Sequence, residues 1–471
     1  MSDIVFGTDG WRDVMCERFN FYNFRLVVQA VSNYLKERFC EDISIFIGYD
    51  TRFFSKDFAK CAAEILSANG IKVLLPKRAM PTPITAYAIK AFNTKGALMI
   101  TASHNPYRYN GVKFIAEYSG PATSETTSAI ESHLSTISDS DVKSDCSETL
   151  IKYVDPINDY INHISELLNV ELLLEKKLKV VVDPMYGAAS GIIEKILNKF
   201  GCQVVPVCSG LDNPYFGGVL PDPSVPDNIE PLINALKKEN AALGLALDGD
   251  ADRFGAVDST FKFIAANQIL AIIADYLIKV RRLKGAVVRS VATTGLLDAI
   301  ANKNGVQLIE TPVGFKYVGE QMRQGDVILG GEESAGLSIL GHIPEKDGIL
   351  AVLLLAEITA YWGKPLSEVL DNLWDTYGHF TGQRLDVHLS DAGKARLIEH
   401  FNNSTIKEIA GLKVLSTVKI DGIKLVLDGG SWLLVRPSGT ESLVRIYFES
   451  PGKNDFAKIK KYADDVAQKY S

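Results

Sequence analysis

An apolar run, Ala97-Leu98-Met99-Ile100, stops abruptly at Thr101-Ala-Ser-His-Asn-Pro106. Four apolar residues cut short by polar, turn-forming ones read as a buried strand. Ser103 therefore leaves the carboxyl end of a strand, where open α/β sheets present their ligands. Pro106 fixes the backbone just beyond and restricts Asn105 in front of it. Taken alone, the stretch also fits a plain strand-to-loop turn with a capping serine. The rest of the chain has to supply its partners.

The surrounding sequence alternates strand with helix. Val27, Val31, Tyr34 and Leu35 fall at helical spacing within residues 24–38. A strand at 43–48 ends in Asp50-Thr51-Arg52, and a helix at 57–68 and a short strand at 73–75 lead to the serine stretch. A second unit runs through a strand at 179–184, a helix at 190–200, a strand at 204–207 and a helix at 229–239. A third has helices at 267–281, 296–303 and 347–362 with strands at 286–289 and 327–329. This order implies βαβ units and largely parallel sheets. Residues 118–148, rich in Ser, Thr and Asp, read as a weak helix followed by a solvated connection. Residues 212–227 carry Pro, Gly and Asn in quantity and read as a long irregular loop, a type that is usually functional. The last hundred residues alternate instead, at 384–389 and 425–427, with strands at 432–435 and 443–448 before a terminal helix.

At 471 residues the chain exceeds one hydrophobic core and implies three or four domains. A formal charge of −7 argues against nucleic acid or an anionic membrane as a partner. The longest apolar segment, 349–358, contains Glu357 and is too short to span a bilayer. Cys16, Cys40, Cys61, Cys146, Cys202 and Cys208 show neither CxxC nor metal-ligand spacing, so reduced thiols in a cytoplasmic protein are expected. Met1-Ser2-Asp3-Ile4 does not read as a signal peptide.

Four other stretches carry chemistry. After the apolar run 243–247 comes Asp248-Gly-Asp-Ala-Asp-Arg253, with carboxylates at i, i+2 and i+4. Carboxylates so close repel one another unless a cation or protons intervene. An all-oxygen ligand set suits Mg²⁺ better than zinc. A calcium EF-hand is excluded, because Arg253 and Ser259 stand where that loop needs Gly and Glu. A solvated acidic turn is the other reading. Phe6-Gly-Thr-Asp-Gly-Trp-Arg12 can bring amides and a guanidinium to an anion, or be a structural turn. Gly331-Glu-Glu-Ser-Ala-Gly336, preceded by Thr311-Pro-Val-Gly-Phe-Lys-Tyr317, offers a carboxylate pair and a serine to a polyhydroxylated ligand, or forms a charged hairpin. Arg436-Pro-Ser-Gly-Thr-Glu441 is a phosphate cradle or a turn between strands.

In this order, each at a strand end, the motifs at 101–106, 248–253, 331–336 and 436–441 resemble the α-D-phosphohexomutase family. The resemblance covers essentially the whole chain, and among its members the chain is most like a phosphoglucomutase. It implies three related α/β domains with mixed, largely parallel sheets at about 1–150, 151–255 and 256–373. A C-terminal α+β domain of the TATA-box-binding-protein-like class, at about 374–471, completes the ring around a central cleft. It implies that Ser103 is carried as phosphoserine, with one Mg²⁺ held by Ser103, Asp248, Asp250 and Asp252. Lys113 matches the general acid/base, and Arg12, His104 and Arg253 belong to the catalytic motifs. Thr311, Gly314, Glu332, Ser334, Lys346, Arg436, Ser438, Gly439, Thr440 and Arg445 would bind substrate. Glu332 and Ser334 take the sugar hydroxyls in that set, and residues 436–440 the non-reacting phosphate.

The implied partners are hexose monophosphates and a hexose bisphosphate, with glucose 1,6-bisphosphate as activator and a monomer or homodimer as the working form. The Glu-Glu-Ser loop and His342-Ile-Pro-Glu-Lys-Asp-Gly348 look like the glucose branch, and 311–317 lacks the histidine of dual-specificity enzymes. Mannose and glucosamine phosphates, a phosphatase and a phosphosugar-binding regulator are the alternatives. Ser442 departs from the family by standing where many relatives carry Pro.

Overall fold

The computed structural model describes residues 4–6, 10–402, 406–438 and 443–470. Among them lie four sheets, of which three share one strand order. In the first, Gly96–Ile100 runs parallel to Ser44–Tyr49, which runs parallel to Lys72–Leu75, and Tyr109–Ala116 returns antiparallel on the outer side. In the second, Leu243–Leu247, Lys179–Asp183 and Gln203–Pro206 are the parallel strands and Phe254–Asp258 the returning one. The third repeats the pattern with Val327–Glu332, Ala286–Ser290 and Gln307–Thr311, closed by Gly336–Ile339. The serine, carboxylate and Glu-Glu-Ser motifs each occupy the turn between the central parallel strand and its antiparallel return. One topological position is thus used three times, at the carboxyl end where such sheets bind ligands.

The three central strands are buried along their whole length, because helices cover both faces. The chief packing element is the helix Gly348–Trp362. Asp347 caps it by accepting from the Leu350 amide at 2.8 Å, and Gly363 ends it with φ 58°. A helix apolar on every side must be buried, and this one lies in a core shared with strands of all three units. Its Glu357 is satisfied by the Tyr276 hydroxyl at 2.7 Å and Arg281 at 2.8 Å. No single helix among the described residues is long and apolar enough to cross a membrane. All six cysteines are unpaired.

The fourth sheet is wholly antiparallel, from Thr381–His388 through Leu443–Ser450, Trp432–Pro437, Ile423–Leu427 and Leu412–Val418 to Glu408–Ile409. Its two faces part with the period-2 alternation of a strand. Leu433 and Val435 face the helices Asp391–Asn402 and Lys453–Tyr470. Trp432 and Leu434 pack on Val291 and Ala292 of the third unit. The fold is α/β, as expected, with a C-terminal α+β unit. Several helices that the periodicity did not announce are present, among them Thr82–Phe92, Phe315–Gln324 and Leu366–Tyr377.

Candidate active site

Ser103 sits immediately beyond the strand Gly96–Ile100 with φ 51°, a left-handed conformation costly for a residue with a Cβ. The surroundings hold it there. Its amide donates to Thr101 Oγ1 at 2.8 Å, and its buried hydroxyl donates to Asp248 Oδ2 at 2.7 Å with His104 Nδ1 3.2 Å away. Burial, reinforced by the guanidinium groups of Arg253 and Arg12, pushes the His104 imidazole well below its usual range and keeps it neutral. Arg12 donates to Asn105 Oδ1 at 3.1 Å. The serine loop and the N-terminal arginine are therefore one structure.

The carboxylate loop faces it from the second unit. Asp248, Asp250 and Asp252 are buried, with ligand oxygens within 4.8 Å of one another. Lys113, on the returning strand Tyr109–Ala116, is buried as well and donates to Asp250 at 2.9 Å and Asp252 at 2.8 Å. Lys346 approaches Asp252 to 3.4 Å, and Arg253 lies 3.9 Å from Asp222 on the long 212–227 loop. Burial and then Asp250 and Asp252 push the Asp248 carboxyl well above the usual carboxylate range. Burial acts on Asp252 in the same sense, but Lys113, Lys346 and Arg253 outweigh it and hold that group well below the range.

The donor set fits a hard cation. Asp250 Oδ1 and Asp252 Oδ1 are buried with no hydrogen-bond partner. Such atoms are costly unless something takes them up, and a set of donors made only of oxygens suits a hard cation such as Mg²⁺ or Ca²⁺. The triad can hold a metal ion.

The third unit adds Glu332, whose Oε1 accepts from the Gly314 amide at 2.7 Å. Thr311 is buried beside Pro312, and Ser334 is half-buried in the turn. Val313, next to Gly314, donates its amide to Asp421 Oδ2 at 3.1 Å, and Arg436 Nε donates to the same oxygen at 2.7 Å. Arg436 stands opposite Arg445 across the strands, and Arg445 lies 3.8 Å from Asp386. The Ser438 carbonyl accepts from Lys394 at 2.8 Å. Gly439 and Thr440 lie outside the described residues. The sequence-derived residues thus fall into a serine–carboxylate group and an Arg436 group, the latter linked to Glu332 through Asp421 and residues 313–314.

Burial, with Glu333 alongside, pushes the Glu332 carboxyl from 4.5 to about 7, against the pull of Lys346. Between pH 4.5 and 7 the folded protein holds a proton that the unfolded chain releases, so stability falls as pH rises through that window. Glu332→Gln removes this slope. Its stability should gain on the parent's from pH 4.5 to 7, by about 3 kcal/mol at most, and then level off, which melting temperatures measured across the range will follow. Parallel melting curves for the two proteins across that range would remove the shift.

Three contributors went unread in the sequence. Asp50 and Arg52 end the strand Ser44–Tyr49, and Arg52 is buried beneath the serine loop. Thr82, at the start of the helix Thr82–Phe92, donates its hydroxyl to Asp250 Oδ2 at 2.6 Å and its amide to the Asp250 carbonyl at 2.9 Å. A signal was available in both cases. Asp-x-Arg closes a strand at its carboxyl end, and Pro83 stands where prolines start helices.

Family models of the phosphoglucomutase/phosphomannomutase α/β/α domains I, II and III match residues 3–141, 158–261 and 265–377, and that of the C-terminal domain matches 397–469. The chain belongs to the phosphoglucomutase/phosphomannomutase family. It is 31% identical to a phosphoglucomutase/phosphomannomutase of Thermococcus kodakarensis over 95% of this chain and 94% of that one. It is 32% identical to a phosphoglucosamine mutase of Carboxydothermus hydrogenoformans over 94% and 95%. The open form of pp63/parafusin, a phosphoglucomutase from Paramecium, superposes with a TM-score of 0.84 at 27% identity, over 99% of this chain and 95% of that one. The protein is thus a phosphohexomutase-type enzyme, an isomerase that works by phosphoryl transfer. The relatives differ in the sugar they are named for.

Proposed function

We propose that this enzyme interconverts glucose 1-phosphate and glucose 6-phosphate, with Ser103 as the phosphoryl carrier and glucose 1,6-bisphosphate as intermediate. The observation that carries this reading is the Ser103 hydroxyl, held 2.7 Å from a buried carboxylate triad in a left-handed turn at the end of a parallel strand. Phosphoryl transfer depends chiefly on positioning and charge neutralisation, and this site is built for both. The glucose preference rests on Gly331-Glu-Glu-Ser-Ala-Gly336 and His342-Ile-Pro-Glu-Lys-Asp-Gly348.

In the first half-reaction the bond from phosphorus to Ser103 Oγ breaks and a bond to the free sugar hydroxyl forms. The hydroxyl proton is relayed to the departing Oγ with Lys113 as carrier. The bisphosphate then reverses and returns its other phosphoryl group to Ser103 by the same exchange. Glu332 and Ser334 hold the sugar hydroxyls, while Arg436 and Ser438 hold the phosphate that is not reacting. Asp248, Asp250, Asp252 and a phosphoserine oxygen would hold Mg²⁺, which neutralises charge on the transferring group when bound.

A panel of glucose, mannose and glucosamine 1-phosphates, each with Mg²⁺ and a trace of the matching bisphosphate, tests the reading by ³¹P NMR. Glucose 6-phosphate should form fastest. Faster turnover of another sugar overturns the preference, and release of inorganic phosphate alone overturns mutase chemistry.

Arg436→Ala separates holding from chemistry. The arginine makes a charge-assisted contact on the far side of the sugar, so KM should rise. Because the same contact retains the bisphosphate as it reverses, kcat should fall too, and the variant should lose phosphoserine during turnover. Excess glucose 1,6-bisphosphate should restore its rate. Kinetics and bisphosphate dependence identical to the parent's would remove Arg436 from the phosphate site.

A further inference from the structure

We infer that Arg52 is the positioning residue of the reacting serine: its guanidinium grips the Ser103 turn from the carbonyl side and seats that turn against the carboxylate loop. The inference rests on the reading of Ser103 as phosphoryl carrier. A guanidinium has five N–H donors, and here each has its own acceptor. Nη2 donates to the carbonyls of Ser103 at 2.5 Å and Asn105 at 2.7 Å. Nη1 donates to those of Pro106 at 2.9 Å and Tyr109 at 3.0 Å, and Nε donates to Asp50 Oδ2 at 3.0 Å. Four of the five bonds therefore fasten one loop by its backbone alone. None touches the Ser103 side chain, so the grip is the same whether or not that oxygen carries phosphate.

Asp50 completes the clamp. Besides balancing the charge of Arg52, its Oδ2 accepts from Thr101 Oγ1 at 2.7 Å, and Thr101 Oγ1 in turn accepts the Ser103 amide at 2.8 Å. The N–H and the C=O of Ser103 are thus tied to one buried ion pair, which accounts for the persistence of a left-handed serine.

The clamp also reaches the second unit. The Phe216 ring, from the 212–227 loop, lies against the guanidinium at 4.8 Å. Gly249 fills the remaining space, since a Cβ there would meet the Ser103 carbonyl oxygen at 2.7 Å and the Phe216 ring at 3.4 Å. The Ser103 carbonyl, Phe216 and the backbone between Asp248 and Asp250 thus meet around one cation. That contact fixes how far Ser103 Oγ stands from Asp248. A lysine has three donors at a single point and cannot reproduce a planar five-way fork.

The test is Arg52→Lys in the full-length enzyme. Misplacement of a reacting group by about 1 Å costs about 100-fold, so kcat should fall by about that factor while KM for glucose 1-phosphate stays within about twofold. Phosphate uptake by Ser103 from glucose 1,6-bisphosphate, followed by intact mass, should slow in step with kcat. A residue that only stabilises the fold would lower the melting temperature and the fraction of active sites, yet leave kcat per phosphorylated site unchanged. That outcome overturns the inference.

Phe216→Leu keeps all five hydrogen bonds and loses only the ring. It should lower kcat several-fold at constant KM, and it decides the matter alone if Arg52→Lys does not fold, an unchanged kcat then refuting the inference. The parent enzyme is the control. If it takes up no phosphate, the reading of Ser103 falls and this inference with it; equal uptake by parent and Arg52→Lys removes the inference alone.

Discussion

Ser103→Ala should lower mutase turnover by about 10⁴-fold or more, the scale on which removing a covalent nucleophile acts. The fold should survive. The lost hydroxyl makes one hydrogen bond, to Asp248, and one contact with His104, whereas the amide and carbonyl that shape the turn are held by Thr101 and Arg52. Melting temperature should change by only a few degrees, in line with one lost hydrogen bond of about 1 kcal/mol. Incubation with glucose 1,6-bisphosphate should add a phosphoryl group to the parent and none to the variant. Near-normal turnover by a clean Ser103→Ala preparation, or phosphate uptake at another residue, rules out the covalent role.

Asp250→Asn should be nearly as damaging. The substitution keeps the shape of the side chain and removes one anionic oxygen donor from the triad. Lewis-acid stabilisation of a transferring phosphoryl group is a matter of several kcal/mol, so turnover in Mg²⁺ should fall by about 10²- to 10³-fold. The weaker site should show directly as a loss of Mg²⁺ affinity in titration calorimetry. Asp250 Oδ2 also receives Lys113 and the Thr82 hydroxyl, so the amide additionally disturbs the lysine. Complete stripping of the parent with EDTA should abolish turnover, and Mg²⁺ should restore it. Full activity of the stripped enzyme would remove the metal from the reaction.

The Arg436 group is tied together differently from the Ser103 group. Around Ser103, Lys113 of the first unit donates to the buried Asp250 and Asp252 of the second, while Arg52 and Asp50 pair within the first. In the Arg436 group, Asp421 links Arg436 of the last unit to the Val313 amide of the third, and Gly314 beside it holds Glu332. Arg436 and Glu332 are thus connected through three hydrogen bonds and the Val313–Gly314 peptide link.

What was legible in the sequence was local. Each motif follows directly on a short apolar run, so strand, strand end and candidate chemistry could be read from neighbouring residues at 97–106, 243–253 and 327–336. The aspartates at i, i+2 and i+4 needed no partner to betray a cation site, since their mutual repulsion is a property of the sequence. Some helices with a clear polar face were legible from their period, as at Leu296–Lys303. The helix Thr82–Phe92 was not, because nearly every residue along it is buried and no polar face marks a turn.

Tertiary structure alone decided what faces what. Ser103 and Asp248 are 145 residues apart, Thr82 and Asp250 are 168 apart, and Arg52 reaches a loop 51 to 57 residues away. Arg52 read as an ordinary strand-end arginine because its acceptors are backbone carbonyls, which every residue possesses and no sequence pattern advertises. Side-chain type and spacing thus announced the candidate site residues. The clamp that aims them, made of main-chain oxygens brought together by folding, became visible only in three dimensions.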